Sequence, residues 1–186
     1  MFLSDKDVRV YMDEGQIKID PFEPKFLGSM AYDLRLHKNF RLFKNTKDVT
    51  HIDVKHKFEV TELSDEGFGG SIVIHPGEFI LGATHENIEL GNKVAGLLEG
   101  RSSLARIGLI VHATAGFVNP GCKGHITFEM SNISNLPVKL YVGMRIAQLA
   151  FVPMSSPVDL GGKNGKSKYL GQKPPTSSRI WKDFED

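Results

Sequence analysis

The stretch Gly100–Asn132, GRSSLARIGLIVHATAGFVNPGCKGHITFEMSN, carries the densest set of groups in the chain able to hold a phosphate chain, read a base and move a proton. It opens on Gly100-Arg101-Ser102-Ser103-Leu104-Ala105-Arg106, a small-residue turn running into a short helical segment with Ser102 or Ser103 as the expected cap. A helix start bearing free N–H groups, two hydroxyls and a guanidinium suits an anion. An ordinary capped turn with a solvated arginine reads equally well from these residues alone. The closing half, HITFEMSN, alternates with period two: Ile126, Phe128 and Met130 on one face, His125, Thr127, Glu129 and Ser131 on the other. Glu129 therefore leaves a strand on its polar face, where a solvated carboxylate is the commoner role and an acid–base catalyst the rarer one. Between the halves lies TAGFVNPGCKG, in which Gly116, Pro120, Gly121 and Gly124 are expected to fold a tight hairpin that a flat ligand can approach closely.

Around this stretch the chain reads as many short strands. Ser71–His75, Glu78–Ala83, Asn87–Leu90 and Val94–Leu98 precede it; Val138–Val142 and Arg145–Val152 follow, with turn signals such as His75-Pro76-Gly77 and Gly143 between them. Such spacing predicts an all-β sandwich or jelly roll. Further upstream, Met30–Leu36 alternates, with Tyr32, Leu34 and Leu36 on one side and Asp33 and Arg35 on the other; a surface ion pair of little energetic worth is the default expectation for these two, and pairing across a subunit contact the alternative. Ser4-Asp5-Lys6-Asp7 reads as a helix cap for a segment ending at Gly15. Residues 44–70 are polar and Gly-rich and are expected to form a loop or irregular hairpin; His51 and His56 lack the spacing of metal ligands. From Ser155 the composition turns to Gly, Lys, Pro and Ser. That tail is either solvated or a lid whose Lys163, Lys166, Lys168, Tyr169 and Gln172 fold over a bound triphosphate, with Trp181 pinning its end.

At 186 residues the chain suits a single domain, 1–186, divided into a β core over 1–154 with its N-terminal helix and a flexible lid or tail over 155–186. With 23 basic against 22 acidic side chains there is no global field for nucleic acid or an anionic membrane. No apolar run reaches membrane-spanning length and no secretion signal is evident, so a cytoplasmic protein is expected. Cys122, the single cysteine, argues against a structural zinc site and reads as a small residue filling a turn. Zinc-dependent cytosine deaminases need H-x-E and P-C-x-x-C. None of the seven histidines begins an H-x-E.

GRSSLARIGL, then TAGFVNPG, then GHITFEMSN, in that order and spacing, resemble the trimeric dUTPase and dCTP deaminase superfamily. RSSLAR with a Glu in the ITFE strand, together with SDKDV, SMAYDLRL and SKYLGQ, is more similar to dCTP deaminase, and the match covers nearly the whole chain. The resemblance implies a distorted jelly roll of the dUTPase-like β-clip type, assembled as a homotrimer with sites at subunit boundaries. It implies a zinc-independent hydrolysis of dCTP to dUTP and ammonia. Arg101, Ser102 and Ser103 would hold phosphates, joined by Lys168, Tyr169 and Gln172 of the tail. The segment from His112 through Thr114 and Ala115 to Asn119 would read the cytosine, and Gln148 resembles the phosphate-side Gln of dUTPase-like members. Glu129 would be the acid and base, with Ser102 and Arg106 orienting the water. Mg2+ would enter only with the triphosphate, no zinc is implied, and dTTP is the implied inhibitor.

One position departs from that pattern. Phe117-Val118-Asn119-Pro120 carries an amide where dUTPases, bifunctional deaminase-dUTPases and many simple deaminases resemble one another in carrying Asp, and an amide takes no proton at neutral pH. The expected product is therefore dUTP. The alternatives are a bifunctional enzyme giving dUMP and pyrophosphate, and a nucleotide-binding regulator without turnover.

Overall fold

A computed structural model of the chain describes residues 1–43, 50–57, 59, 61–65, 70–161, 168–172 and 175–185. Lys163 and Lys166 lie outside the described residues. Ser4 caps helix α1 (Asp5–Asp13): its Oγ accepts from the Asp7 N–H at 3.3 Å and donates to the Asp7 carboxylate at 2.9 Å, the arrangement legible in SDKD.

The strands are β1 (Ile17–Asp20), β2 (Ala31–Arg35), β3 (Asn39–Phe43), β4 (Thr61–Asp65), β5 (Ser71–Ile74), β6 (Phe79–Ala83), β7 (Asn87–Leu90) and β8 (Val94–Gly100). After the short helix α2 (Ser102–Ala105) come β9 (Leu109–Ile110), β10 (Phe117–Val118), β11 (Lys123–Gly124), β12 (Thr127–Asn132), β13 (Val138–Tyr141) and β14 (Arg145–Pro153). They form sheets ordered β4-β3-β6-β12-β9, β10-β8-β14-β2, β1-β7-β11 and β13-β5. Neighbours in every sheet are antiparallel. This is the distorted jelly roll that the family resemblance implied, one of the two all-β forms expected from the strand spacing, and the described strands do not close into a barrel.

The core follows the alternation. Tyr32, Leu34 and Leu36 are fully buried, as are Phe128 and Met130 of β12 and Phe151 of β14. Each contributes about 1.5–3 kcal/mol of burial. That shared core holds β12 rigidly, and Glu129 with it.

Within the segment expected as a loop or irregular hairpin, residues 61–65 form β4, which pairs antiparallel with β3. Two local expectations are corrected. TAGFVNPGCKG is not a hairpin of two mutually paired strands: β10 pairs with β8 and β11 with β7, so each arm joins a different sheet. Asp33 and Arg35 form no surface pair. Asp33 is 8% exposed and accepts from Arg145 at 2.9 Å and Gln148 at 3.0 Å, while Arg35 pairs through Nε at 2.6 Å with the fully buried Glu86. A buried carboxylate needs donors close at hand, and these lie on neighbouring strands and turns.

Candidate active site

Strand β12 alternates buried and half-buried residues, which turns Thr127 and Glu129 to the face opposite Phe128 and Met130. On that face Glu129 lines a cavity of about 1120 Å3 together with Ala115, Asn119, Lys168, Tyr169 and Gln172. The Glu129 carboxylate accepts the Ala113 N–H at 3.2 Å and forms no ion pair among the described residues. It is thus aimed by the backbone of the 113–116 segment and left unneutralised. That segment is tied down by Leu98 N–H donating to Gly116 C=O at 2.7 Å. A side chain at Gly116 would meet that Leu98 carbonyl at 3.1 Å, the close approach that a glycine permits.

Thr114 is exposed and outside the cavity lining. His112 packs beneath the segment, its Nε2 3.5 Å from Glu99 and its Nδ1 buried without a partner. Asn119, at the cavity wall, is an exposed amide.

The phosphate candidates from the first half of the stretch sit elsewhere. α2 starts at Ser102, and its cap residue is Arg101 with no side-chain capping bond, so the expected serine cap is corrected. Ser102, Ser103 and Arg106 are exposed and make no side-chain hydrogen bond or ion pair among the described residues. Arg101 Nε lies 3.6 Å from Asp33, whose carboxylate also holds Arg145 and Gln148. Two guanidiniums share one carboxylate there, leaving surplus positive charge beside free hydroxyls, a combination suited to an anion. None of Arg101, Ser102, Ser103, Arg106 or Gln148 lines the Glu129 cavity. Within one chain the candidate residues therefore fall into two separate halves.

Residues of the tail form part of the cavity wall. Gln172 is 9% exposed; its C=O accepts the His125 N–H at 2.9 Å, its side-chain amide donates to Thr127 Oγ1, and its Oε1 accepts from Thr176 at 2.8 Å. The NH2 end of that amide docks the tail on β12, while its oxygen is held within the tail. Tyr169 Oη accepts the Arg179 N–H at 2.8 Å, and Lys168 pairs with Asp183. Arg41, Thr61 and Ser177, which also fasten the tail, carry no motif or spacing that marks them in the sequence. Burial pushes the Cys122 thiol up to about 11, which leaves it protonated and fits the small filler read from its context. Among the described residues no group of three or more His, Cys, Asp or Glu is placed to hold a metal ion, and no helix is long and apolar enough to cross a membrane.

The fold defines a dUTPase-like β-clip protein. A crystal structure of 2'-deoxycytidine 5'-triphosphate deaminase from Agrobacterium tumefaciens aligns with TM-score 0.61 at 16% identity, covering 81% of this chain and 47% of that one. The chain belongs to the dCTP deaminase-like family, whose model matches residues 2–154. Relatives from Mycobacterium sp. (strain KMS) and Corynebacterium efficiens, each named "dCTP deaminase, dUMP-forming", are 47% identical over 187 aligned residues. The alignments cover 99% of this chain and 98% and 96% of theirs.

Proposed function

We propose that the protein converts dCTP to dUMP in two hydrolytic steps, with Glu129 as the proton carrier of the first. The observation that carries this reading is an unpaired carboxylate, aimed by the Ala113 N–H, in the wall of a cavity large enough for a nucleotide. Water adds to C4 of cytosine and gives its proton to Glu129. Glu129 returns it to N3, then takes the proton of the new C4 hydroxyl and delivers it to the amino group, so that the C4–N bond breaks, ammonia leaves and C4=O forms, as a positioned carboxylate allows. Uracil remains, as dUTP. Water then attacks the α-phosphate, giving dUMP and pyrophosphate.

The relatives named dUMP-forming, alike over nearly the whole chain, support dUMP as the end product over the dUTP expected from Asn119. Asn119 holds the second water by its amide oxygen without taking its proton, so that step is slower than the first and dUTP builds up before dUMP. Arg101, Ser102, Ser103 and Gln148 hold the phosphates of a neighbouring chain's nucleotide, and Arg106 faces its reacting base. A homotrimer with sites at subunit boundaries brings the two halves together. Mg2+ arrives with the triphosphate, and dTTP, sharing that triphosphate, competes for the site.

The test is a product time course with dCTP after chelator treatment and with Mg2+ restored. Ammonia with transient dUTP, then dUMP and pyrophosphate, is expected. Persistent dUTP without dUMP removes the second step, and no ammonia under either condition removes the whole reading.

A further inference from the structure

The Glu129 face of the five-stranded sheet also carries the only arginine of β3. Arg41 lies opposite Leu81 of β6, and Leu81 lies opposite Glu129 of β12, so the three form one row across adjacent strands. Strands are about 4.8 Å apart, which sets Arg41 about 10 Å from Glu129 along that row. The Arg41 side chain is only 18% exposed, and a guanidinium so covered needs acceptors on every side. It has four. Its Nε donates to Pro175 C=O at 2.6 Å, and its Nη1 donates to Thr61 Oγ1 at 3.1 Å and Ser177 Oγ at 3.2 Å, with the Glu59 carboxylate at 3.7 Å. Two of the four belong to the tail. Ser177 is itself buried, 2.8 Å from Thr61 Oγ1 and donating to Glu59 at 2.9 Å.

The tail is thus fastened on both sides of the cavity. Gln172 fixes it to Thr127 on β12, and five residues later Ser177 fixes it to Arg41 on β3. Five extended residues reach about 16 Å, enough to cross the two strand spacings between those points. Removing the tail leaves Arg41 with half its acceptors, a loss that a charged, covered donor feels strongly.

We infer that Arg41 is a positioning residue of this enzyme: a latch that holds the C-terminal segment 175–177 closed over the Glu129 cavity. It touches no reacting atom. It acts by setting the fraction of molecules whose tail is shut, which is the fraction able to retain the nucleotide and keep bulk water out. The catalytic part of this inference rests on the deaminase reading above; the latch itself does not.

The experiment compares wild type, Arg41→Ala, Arg41→Lys and Ser177→Ala. Trypsin cleavage after Arg179 and Lys182 is followed on the full-length protein alone. Arg41→Ala should speed it on the order of ten-fold, the cost of charge-assisted bonds to a covered donor. Ser177→Ala should speed it by a smaller factor while leaving β3 untouched. Arg41→Lys keeps the charge but loses the fork that reaches Pro175 and Thr61 together, so it should restore only part of the protection. With dCTP, KM should rise by a similar factor in Arg41→Ala and kcat at saturation should stay within about three-fold. Wild-type protection in Arg41→Ala, or a lowered kcat with unchanged KM, overturns the latch. Should wild type release no ammonia from dCTP, the functional reading fails while the cleavage comparison still decides the latch. Should Arg41→Ala not fold, Ser177→Ala decides it alone: unchanged cleavage and KM overturn it.

Discussion

Glu129 and Asn119 face the same cavity and differ by what each can do with a proton. Glu129→Gln keeps the shape and the acceptor for Ala113 N–H but abolishes proton transfer. Ammonia release should fall by about two to four powers of ten while triphosphate binding, read by calorimetry, survives. Equal turnover would remove Glu129 from the mechanism. Asn119→Asp has the opposite sense: a carboxylate at that wall can take the proton from the second water, so dUTP hydrolysis should rise about a hundred-fold or more. Direct assay with dUTP as the starting substrate reads this without the first step. An unchanged rate would mean that position 119 does not hold the second water. The alternation of HITFEMSN made the side of Glu129 legible in the sequence, since period two needs no tertiary information. The partners of Asp33 and Arg35 were not legible. Arg145 and Glu86 lie far along the chain, and strand periodicity names a face without naming what covers it.

At the scale of elements, α1 and β12 follow from local rules, whereas β4 and the divided arms β10 and β11 depend on which strand lies alongside. The Gly and Pro of TAGFVNPGCKG announce a turn correctly; that its arms join β8 and β7 is set by the register of strands already placed. The same packing gathers three histidines from separate elements. His37 after β2 lies 6.1 Å from His85 after β6 and 5.4 Å from His125 before β12, ring to ring. Burial first, then the charge of His125, His85 and Lys38, holds the His37 imidazole below the ordinary 6.5. Since the folded state binds that proton less readily than the unfolded chain, the group's contribution to stability is complete above pH 6.5. It declines as pH falls toward the lower folded value and is flat below it. The slope is at most about 1.4 kcal/mol per pH unit. Melting temperature should therefore drop between pH 7.5 and 5.5, and His37→Gln should flatten that drop. An equal drop in both proteins would assign it to other groups.

For the whole molecule, the reading proposed above needs assembly for turnover, because the Glu129 cavity lies apart from Arg101, Ser102, Ser103 and Arg106. Sedimentation should give a particle three times the 20.7 kDa chain. Glu129→Gln and Arg101→Ala chains, each inactive alone, should regain part of the activity when unfolded and refolded together, because mixed trimers contain boundaries with both intact halves. No recovery in mixtures whose mixed composition is confirmed by mass would place both halves within one chain. Residue spacing did not show this division, since the two halves lie within a single run of 33 residues; only the family resemblance implied sites at subunit boundaries.

Lys168 is already paired with Asp183. In the nucleotide complex proposed above, its contact with a phosphate would exchange one anionic companion for another, so the net number of small ions set free is lower than a tally of cations would give. Lys168 should therefore add little to the response of triphosphate affinity to added potassium chloride. Asp183→Asn, which leaves that ammonium solvated and counterion-dressed at rest, should steepen the response.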